Sequence, residues 1–166
     1  VWNSNPDPTQ DLTTGDLSAR GFRINFPNDR YTGHLSYREF GDDYRPTLGF
    51  VARNDFRRIE PRIGFSPRPD IDWIRKLDFS VQFRNLTELG TGILEEREWD
   101  FNVLGVDFES GDNFDVNVKR VYEFLDYNFQ ISDGIQIPQG EYTNWEYSIR
   151  GSTASKRKIS LFGGGG

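Results

Sequence analysis

Polar and apolar residues alternate along most of this chain with a period of two. Leu77, Phe79, Val81 and Phe83 are separated by Asp78, Ser80 and Gln82. Phe114, Val116 and Val118 are interleaved with Asp115, Asn117 and Lys119, and Trp145, Tyr147 and Ile149 with Glu146, Ser148 and Arg150. Phe22, Ile24 and Phe26 alternate with Arg23 and Asn25. Successive side chains of a strand point to opposite faces, so each segment has one apolar and one polar face. The pattern predicts strands over 21–26, 31–40, 56–66, 73–85, 93–109, 114–125, 142–153 and from 159 onward. Residues 71–77 are the nearest thing to a helix and are too short to matter.

Several of these strands exceed the usual length of about 5–6 residues. A tilted strand crossing a bilayer needs roughly 9–11. The connections sharpen this reading. Residues 27–30, 67–72, 110–113 and 154–158 are short, whereas 41–55, 86–92 and 126–141 are longer. Alternating tight turns and extended loops are the habit of outer-membrane barrels. The expected fold is all-β: an antiparallel up-and-down meander, a partial outer-membrane-type β-barrel of about eight long strands. Residues 1–14 form an irregular N-terminal segment, and 15–166 the barrel segment, truncated at its C-terminus.

The aromatic residues predict two girdles. Phe26 and Tyr31, Phe65 and Trp73, and Phe108 and Phe114 flank the short turns. Tyr37, Trp99, Tyr122 and Trp145 fall towards the long-loop ends. The other face carries Asp78, Gln82, Arg84, Asp100, Asn102, Asp115, Asn117, Lys119, Glu146 and Arg150, the expected lumen lining. Three positions strain the pattern. Arg120 stands on the apolar phase, where it would snorkel towards headgroups. Pro61 lacks the N–H that a ladder uses. The phase slips between Val103 and Val106, which predicts a β-bulge near Gly105.

Composition changes this picture little. Of 166 residues, 35% are hydrophobic and 15% aromatic, a low bulk hydropathy that suits strands meeting lipid with every second residue. No run of 18 apolar residues is present, which excludes a membrane-spanning helix. Twenty basic against 26 acidic residues argue against nucleic-acid binding, and the lack of Cys removes disulfides and thiolate metal sites. The single histidine, His34, has no second ligand, so no metal site and no cofactor are expected. Acidic residues Asp42, Asp43, Asp55, Glu95, Glu96, Glu98, Asp112, Asp133 and Glu141 mostly flank turns, and neither Asp42-Asp43 nor residues 126–141 have EF-hand spacing. No catalytic residue is expected, and the chain reads as a non-enzyme. Gly163 to Gly166 lack the Lys-Ser/Thr pair of a phosphate loop.

Three stretches carry a family resemblance. They are Leu35-Ser36-Tyr37-Arg38-Glu39-Phe40-Gly41-Asp42-Asp43-Tyr44-Arg45-Pro46-Thr47-Leu48-Gly49-Phe50-Val51, then Ile63-Gly64-Phe65-Ser66-Pro67-Arg68-Pro69, and Ile135-Gln136-Ile137-Pro138-Gln139-Gly140-Glu141-Tyr142. From about Gly15 onward the chain resembles the C-terminal, barrel-like region of the bacterial domain of unknown function 5916. In that family a sandwich domain similar to carbohydrate-binding module family 9 usually precedes this region. The resemblance implies an exported outer-membrane protein of the cell envelope with an anchoring or transport role. Its partners would be membrane lipid and, through the upstream domain, glycan. The alternatives are a soluble extracellular β-domain binding carbohydrate through Trp73, Trp99 and Trp145, or an accessory part of a glycoside hydrolase.

Overall fold

The computed structural model describes residues 2–4, 15–44, 53–132, 134–157 and 159–166. Eleven strands occur among them: β1 (Trp2–Ser4), β2 (Ser18–Phe26), β3 (Tyr31–Phe40), β4 (Phe56–Phe65), β5 (Ile74–Glu88), β6 (Leu94–Phe108), β7 (Asn113–Leu125), β8 (Phe129–Ser132), β9 (Ile135–Ile137), β10 (Gly140–Ser152) and β11 (Phe162–Gly165). Nine form one antiparallel sheet in the order β1-β2-β3-β4-β5-β6-β7-β10-β11, while β8 and β9 pair as a separate hairpin. From β2 to β11 every neighbour in the sheet is the next sheet strand in sequence, so this is the expected meander of eight strands, with the short β1 added at one edge. The sheet is open: β1 and β11 stand at opposite ends of the order and do not pair with each other. No helix occurs among the described residues, and none is long and apolar enough to cross a membrane.

Register shows how alternation becomes two faces. One rung across seven strands reads Phe26, Gly33, Ile63, Val81, Phe101, Val118 and Tyr147. The adjacent rung reads Asn25, His34, Arg62, Gln82, Asp100, Lys119 and Glu146. A slip of one residue at any pair would mix the two sets, so the hydrophobic pattern pins the register.

Much of the apolar face is uncovered. On the apolar face Ile24, Ile63, Trp145 and Tyr147 are 61%, 64%, 54% and 61% exposed. On the polar face Ser36 is 2% and Glu60 9% exposed. No second layer of described residues covers the apolar side.

The irregular positions resolve locally. Pro61 pairs with Leu35 on β3, while on the β5 side the ladder skips from Ile59↔Asn85 to Arg62↔Gln82. The missing N–H thus costs one local opening without a change of register. The bulge lies on β6 at Val103: Asn102 faces Asn117 and Leu104 faces Val116. The extra residue puts Val106, opposite Phe114, back on the apolar face. Gly111, at φ +88°, supplies the left-handed residue of the β6–β7 turn, and a Cβ there would lie 3.1 Å from the Ala154 Cβ.

Two expectations need correction. The connection between β5 and β6 is not long: β5 runs to Glu88, β6 starts at Leu94, and Glu88 N donates to Ile93 O at 2.9 Å. From β2 onward the long side of the sheet therefore carries two extended connections and one tight one, and the alternation is not strict. The segment expected as one long loop, 126–141, contains the β8–β9 hairpin. β1 lies within the stretch expected to be irregular, and Arg45 to Val51 of the family-like motif lie outside the described residues, as does Asp133.

Candidate functional site

The polar face of β4, β5, β6, β7 and β10 holds a continuous row of ion pairs. Arg84 Nε donates to Glu60 Oε1 at 2.8 Å. The same guanidinium lies 3.5 Å from Glu98 and 3.7 Å from Glu96. Lys119 Nζ lies 3.9 Å from Glu98 and 2.9 Å from Glu146. Arg58 Nε stands 3.4 Å from the second oxygen of Glu60. Charges of opposite sign thus alternate across five strands, because cross-strand neighbours on one face stand only about 4.5–5.5 Å apart.

The expected lumen residues share this face. Gln82 faces Arg62 and Asp100, Asp100 faces Lys119, and Asn102 faces Asn117. Asp115 faces Arg150 and accepts from Asn102 Nδ2 at 3.4 Å. Asp78 sits nearer the short turns, where it accepts from Ser66 Oγ at 2.6 Å and pairs with Lys76 at 3.0 Å. A cleft of about 590 Å³ runs along Asp100, Asn117, Lys119, Glu146 and Arg150.

The sequence reading missed Arg58 and Glu60, and had seen Glu98 only as one carboxylate among many. Glu98 lies two residues before Asp100, so its phase alone places it in the row. Glu60 was hidden by Pro61, which breaks the visible alternation of β4. A second omission is apolar. Phe40, Phe56 and Leu86 stand on the polar face at its long-connection end, where Phe40 stacks on Phe56 at 5.1 Å and meets Tyr44 edge-on at 5.2 Å. Tyr44, Phe56 and Leu86 are 7%, 9% and 6% exposed and are among the buried apolar residues of the described chain. The parity change from Tyr37 to Phe40 was the signal.

The aromatic residues group at two levels of the apolar face. Towards the short turns Tyr31 stacks on Phe65 at 5.1 Å, with Arg30 over both rings, and Trp73 stacks on Phe108 at 5.9 Å. Phe26 pairs in register with Gly33, and Phe114 with Val106. Towards the long connections Tyr37 and Tyr122 share a rung, and Trp99, Arg120 and Trp145 share the next. Arg120 lies 5.7 Å over the Trp145 ring, so a guanidinium on an apolar face is met by the negative face of an indole.

Chemically, this face is built to neutralise itself. Glu60, Glu98 and Glu146 each face a cation, whereas paired carboxyl catalysis needs one acid held protonated beside one that is ionised. Among the described residues no group of three or more potential ligands could hold a metal. His34 sits on the polar face opposite Arg62. Asp42 accepts from Asp43 N at 3.0 Å, and Asp55 from Gly90 N at 3.1 Å, so these acids bind backbone in turns. At the short-turn rim Asp112 accepts from Ala154 N at 2.8 Å and from Ser110 Oγ at 2.8 Å. These bonds, from the Ala154 amide first, hold its carboxyl below the usual aspartate range. No protein-family model, curated protein or solved structure matches this chain.

Proposed function

We propose that the chain is a wall segment of an outer-membrane β-barrel in an exported bacterial envelope protein, serving to anchor or transport in connection with glycan binding. The observation that carries this reading is the uncovered apolar face, where Ile24, Ile63, Trp145 and Tyr147 are all more than half exposed, set against the ion-paired row from Arg58 to Glu146 on the other face. In water, uncovered faces of this size are rare and mark contact with something apolar. In a bilayer the same arrangement is the favourable one. On β6 the apolar run from Trp99 to Phe108 covers about 30 Å of strand, or about 23 Å along the normal at a tilt of ~40°. On β5 the run from Leu77 to Phe83 is nearer 15 Å by the same arithmetic, with Trp73 continuing it at the rim.

Strand tilt supports the same reading. The rung holding Tyr37 and Ile59 on β3 and β4 holds Asn85 and Arg97 on β5 and β6. The apolar band therefore slides by one rung across the sheet, about 6.6 Å, as strands inclined to a barrel axis require. The glycan link rests on the family resemblance alone.

A second reading has one observation in its favour. Trp145 and Tyr147 lie nearly parallel, at 14° and 6.4 Å, and both are exposed, as in platforms that stack on sugar rings. Reconstitution into bilayers of brominated lipid separates the two. Deep quenching of tryptophan emission is expected for the barrel. Unquenched emission, with a fluorescence response to polysaccharide in plain buffer, would establish the soluble domain instead.

A further inference from the structure

The row of ion pairs stops at β4, but the polar face continues over β3 and β2. On these three strands it carries Arg23, Arg38, Arg58 and Arg62 with one carboxylate, Glu60. Glu60 is already held by Arg84 at 2.8 Å and Arg58 at 3.4 Å. On β6 and β7 the balance reverses, with Glu96, Glu98, Asp100, Asp107, Asp115 and Glu123 against Lys119. The two halves of one face thus carry opposite net charge.

Two of the arginines have no acid of their own. Among the described residues neither Arg23 nor Arg38 has a carboxylate partner. Glu39 lies on the other face with Arg20 and Arg57. Beyond the end of β2, Asp16 accepts from Ser18 N at 2.9 Å, and Asp42 from Asp43 N at 3.0 Å. Arg23 faces Ser36, and Gly21 faces Arg38, so the two arginines are diagonal neighbours. Such positions stand about 7–8 Å apart, within reach of one shared ligand. The small Ser36 and Gly21 complete the square and leave room between the guanidiniums. A cleft of about 450 Å³ opens there, bounded also by Ala19 and Phe40. Arg38 further stands directly opposite Arg58, whose Nε is buried with no hydrogen bond. Like charges opposed across a ladder destabilise it, and an anion between them would relieve the repulsion.

We propose that this corner binds a small organic anion, its carboxylate held between Arg23 and Arg38 and its carbon skeleton resting on Ala19, Gly21 and the Phe40 ring. Guanidinium forks match a carboxylate in two parallel hydrogen bonds. The cleft lies within the range of small-molecule sites, about 300–1,000 Å³. Its apolar side gives a carbon skeleton an advantage over a bare inorganic anion. The acid-rich half of the face repels the same ligand and directs it to this corner. The site lies on the opposite side of the sheet from the apolar face and does not depend on what covers that face.

The probe is benzoate, titrated into the purified full chain in a polyoxyethylene detergent and followed by the NMR signals of the arginine Nε–H groups. Saturable shifts are expected at Arg23 and Arg38. Benzamide, uncharged and of the same shape, and inorganic phosphate are each expected to bind at least about tenfold more weakly. Arg23→Gln and Arg38→Gln should each weaken benzoate about tenfold. The matching Arg→Lys variants keep the charge, lose the fork and should fall between. Lys156→Gln, at the short-turn rim, should change nothing. The urea midpoint of Arg38→Gln is expected to be unchanged or higher, because Arg58 loses a like charge, so that lost binding is not lost folding. Phosphate binding as tightly as benzoate would make the corner a plain anion patch and overturn the organic assignment. Shifts that do not saturate, or that survive both glutamine substitutions, would overturn the site. A fall in stability for Arg38→Gln without benzoate binding to the parent would assign the arginines to counter-charge for the acidic half, and would overturn it as well. A chain that binds benzoate but does not enter bilayers refutes the barrel and keeps this site.

Discussion

Asp112 shows how one side chain fixes two turns. Its carboxylate takes the Ala154 amide and the Ser110 hydroxyl, and Arg157 reaches the same group at 2.5 Å. The β6–β7 turn is thereby tied to the connection leaving β10. Because the folded pKa is depressed, the tie is fully present above the ordinary aspartate value of about 3.9 and is lost as pH falls through the lower folded value. Asp112→Ala should therefore raise the hydrogen-exchange rate of the Ala154 amide at neutral pH. The unsubstituted protein should show the same rise only in acid. Equal exchange in both proteins at pH 7 would mean that the carboxylate bears no part of the load.

At the scale of the element, β4 tests how a strand tolerates a residue that cannot donate. The ladder opening at Pro61 lies where Glu60 accepts from Arg84 on β5, so a side-chain bond bridges the strands where the backbone bond is missing. Glu60 is buried, and removing its partner would leave a carboxylate without its strongest donor. Arg84→Met is expected to cost about 1–3 kcal/mol in chemical denaturation. Adding Glu60→Gln should recover part of the loss, since it removes the buried carboxylate that Arg84 had neutralised and leaves Arg58 facing a neutral amide. Strict additivity of the two changes would show that the pair is not coupled. The same strand explains an omission in the sequence reading: an alternation interrupted by proline hides Glu60, although its neighbours place it on the charged face.

For the whole molecule the question is what the apolar face meets. Ile63 lies mid-rung and is 64% exposed, so the surroundings decide what a charge there costs. In water Ile63→Arg should change stability by no more than about 0.5 kcal/mol, as for most surface substitutions. In a bilayer the same change at mid-depth should cost about 2–4 kcal/mol. Urea titration of the protein folded into phosphatidylcholine vesicles measures the difference. A loss below about 0.5 kcal/mol there would place this face outside the hydrocarbon. Gln82→Arg, on the opposite face, serves as the internal control and should be nearly silent in either medium.

The period-two pattern was enough to find the strands from β2 to β7 and β10, their faces and a bulge on β6, though not β1 or the β8–β9 hairpin, because side-chain alternation in a strand is a local property of the backbone. It also assigned the polar row to one face, since residues two apart in one strand share a side whatever the strand pairs with. Other features depended on register and packing between strands distant in sequence. These are the ion-pair row from Arg58 to Glu146, the aromatic core of Phe40, Tyr44 and Phe56, and the tight closure between β5 and β6. The open sheet is another, since pairing of edge strands is settled only by which backbones meet. A single strand carries no information on which charge its neighbour will offer, and a cross-strand Coulomb contact exists only once the register has been set.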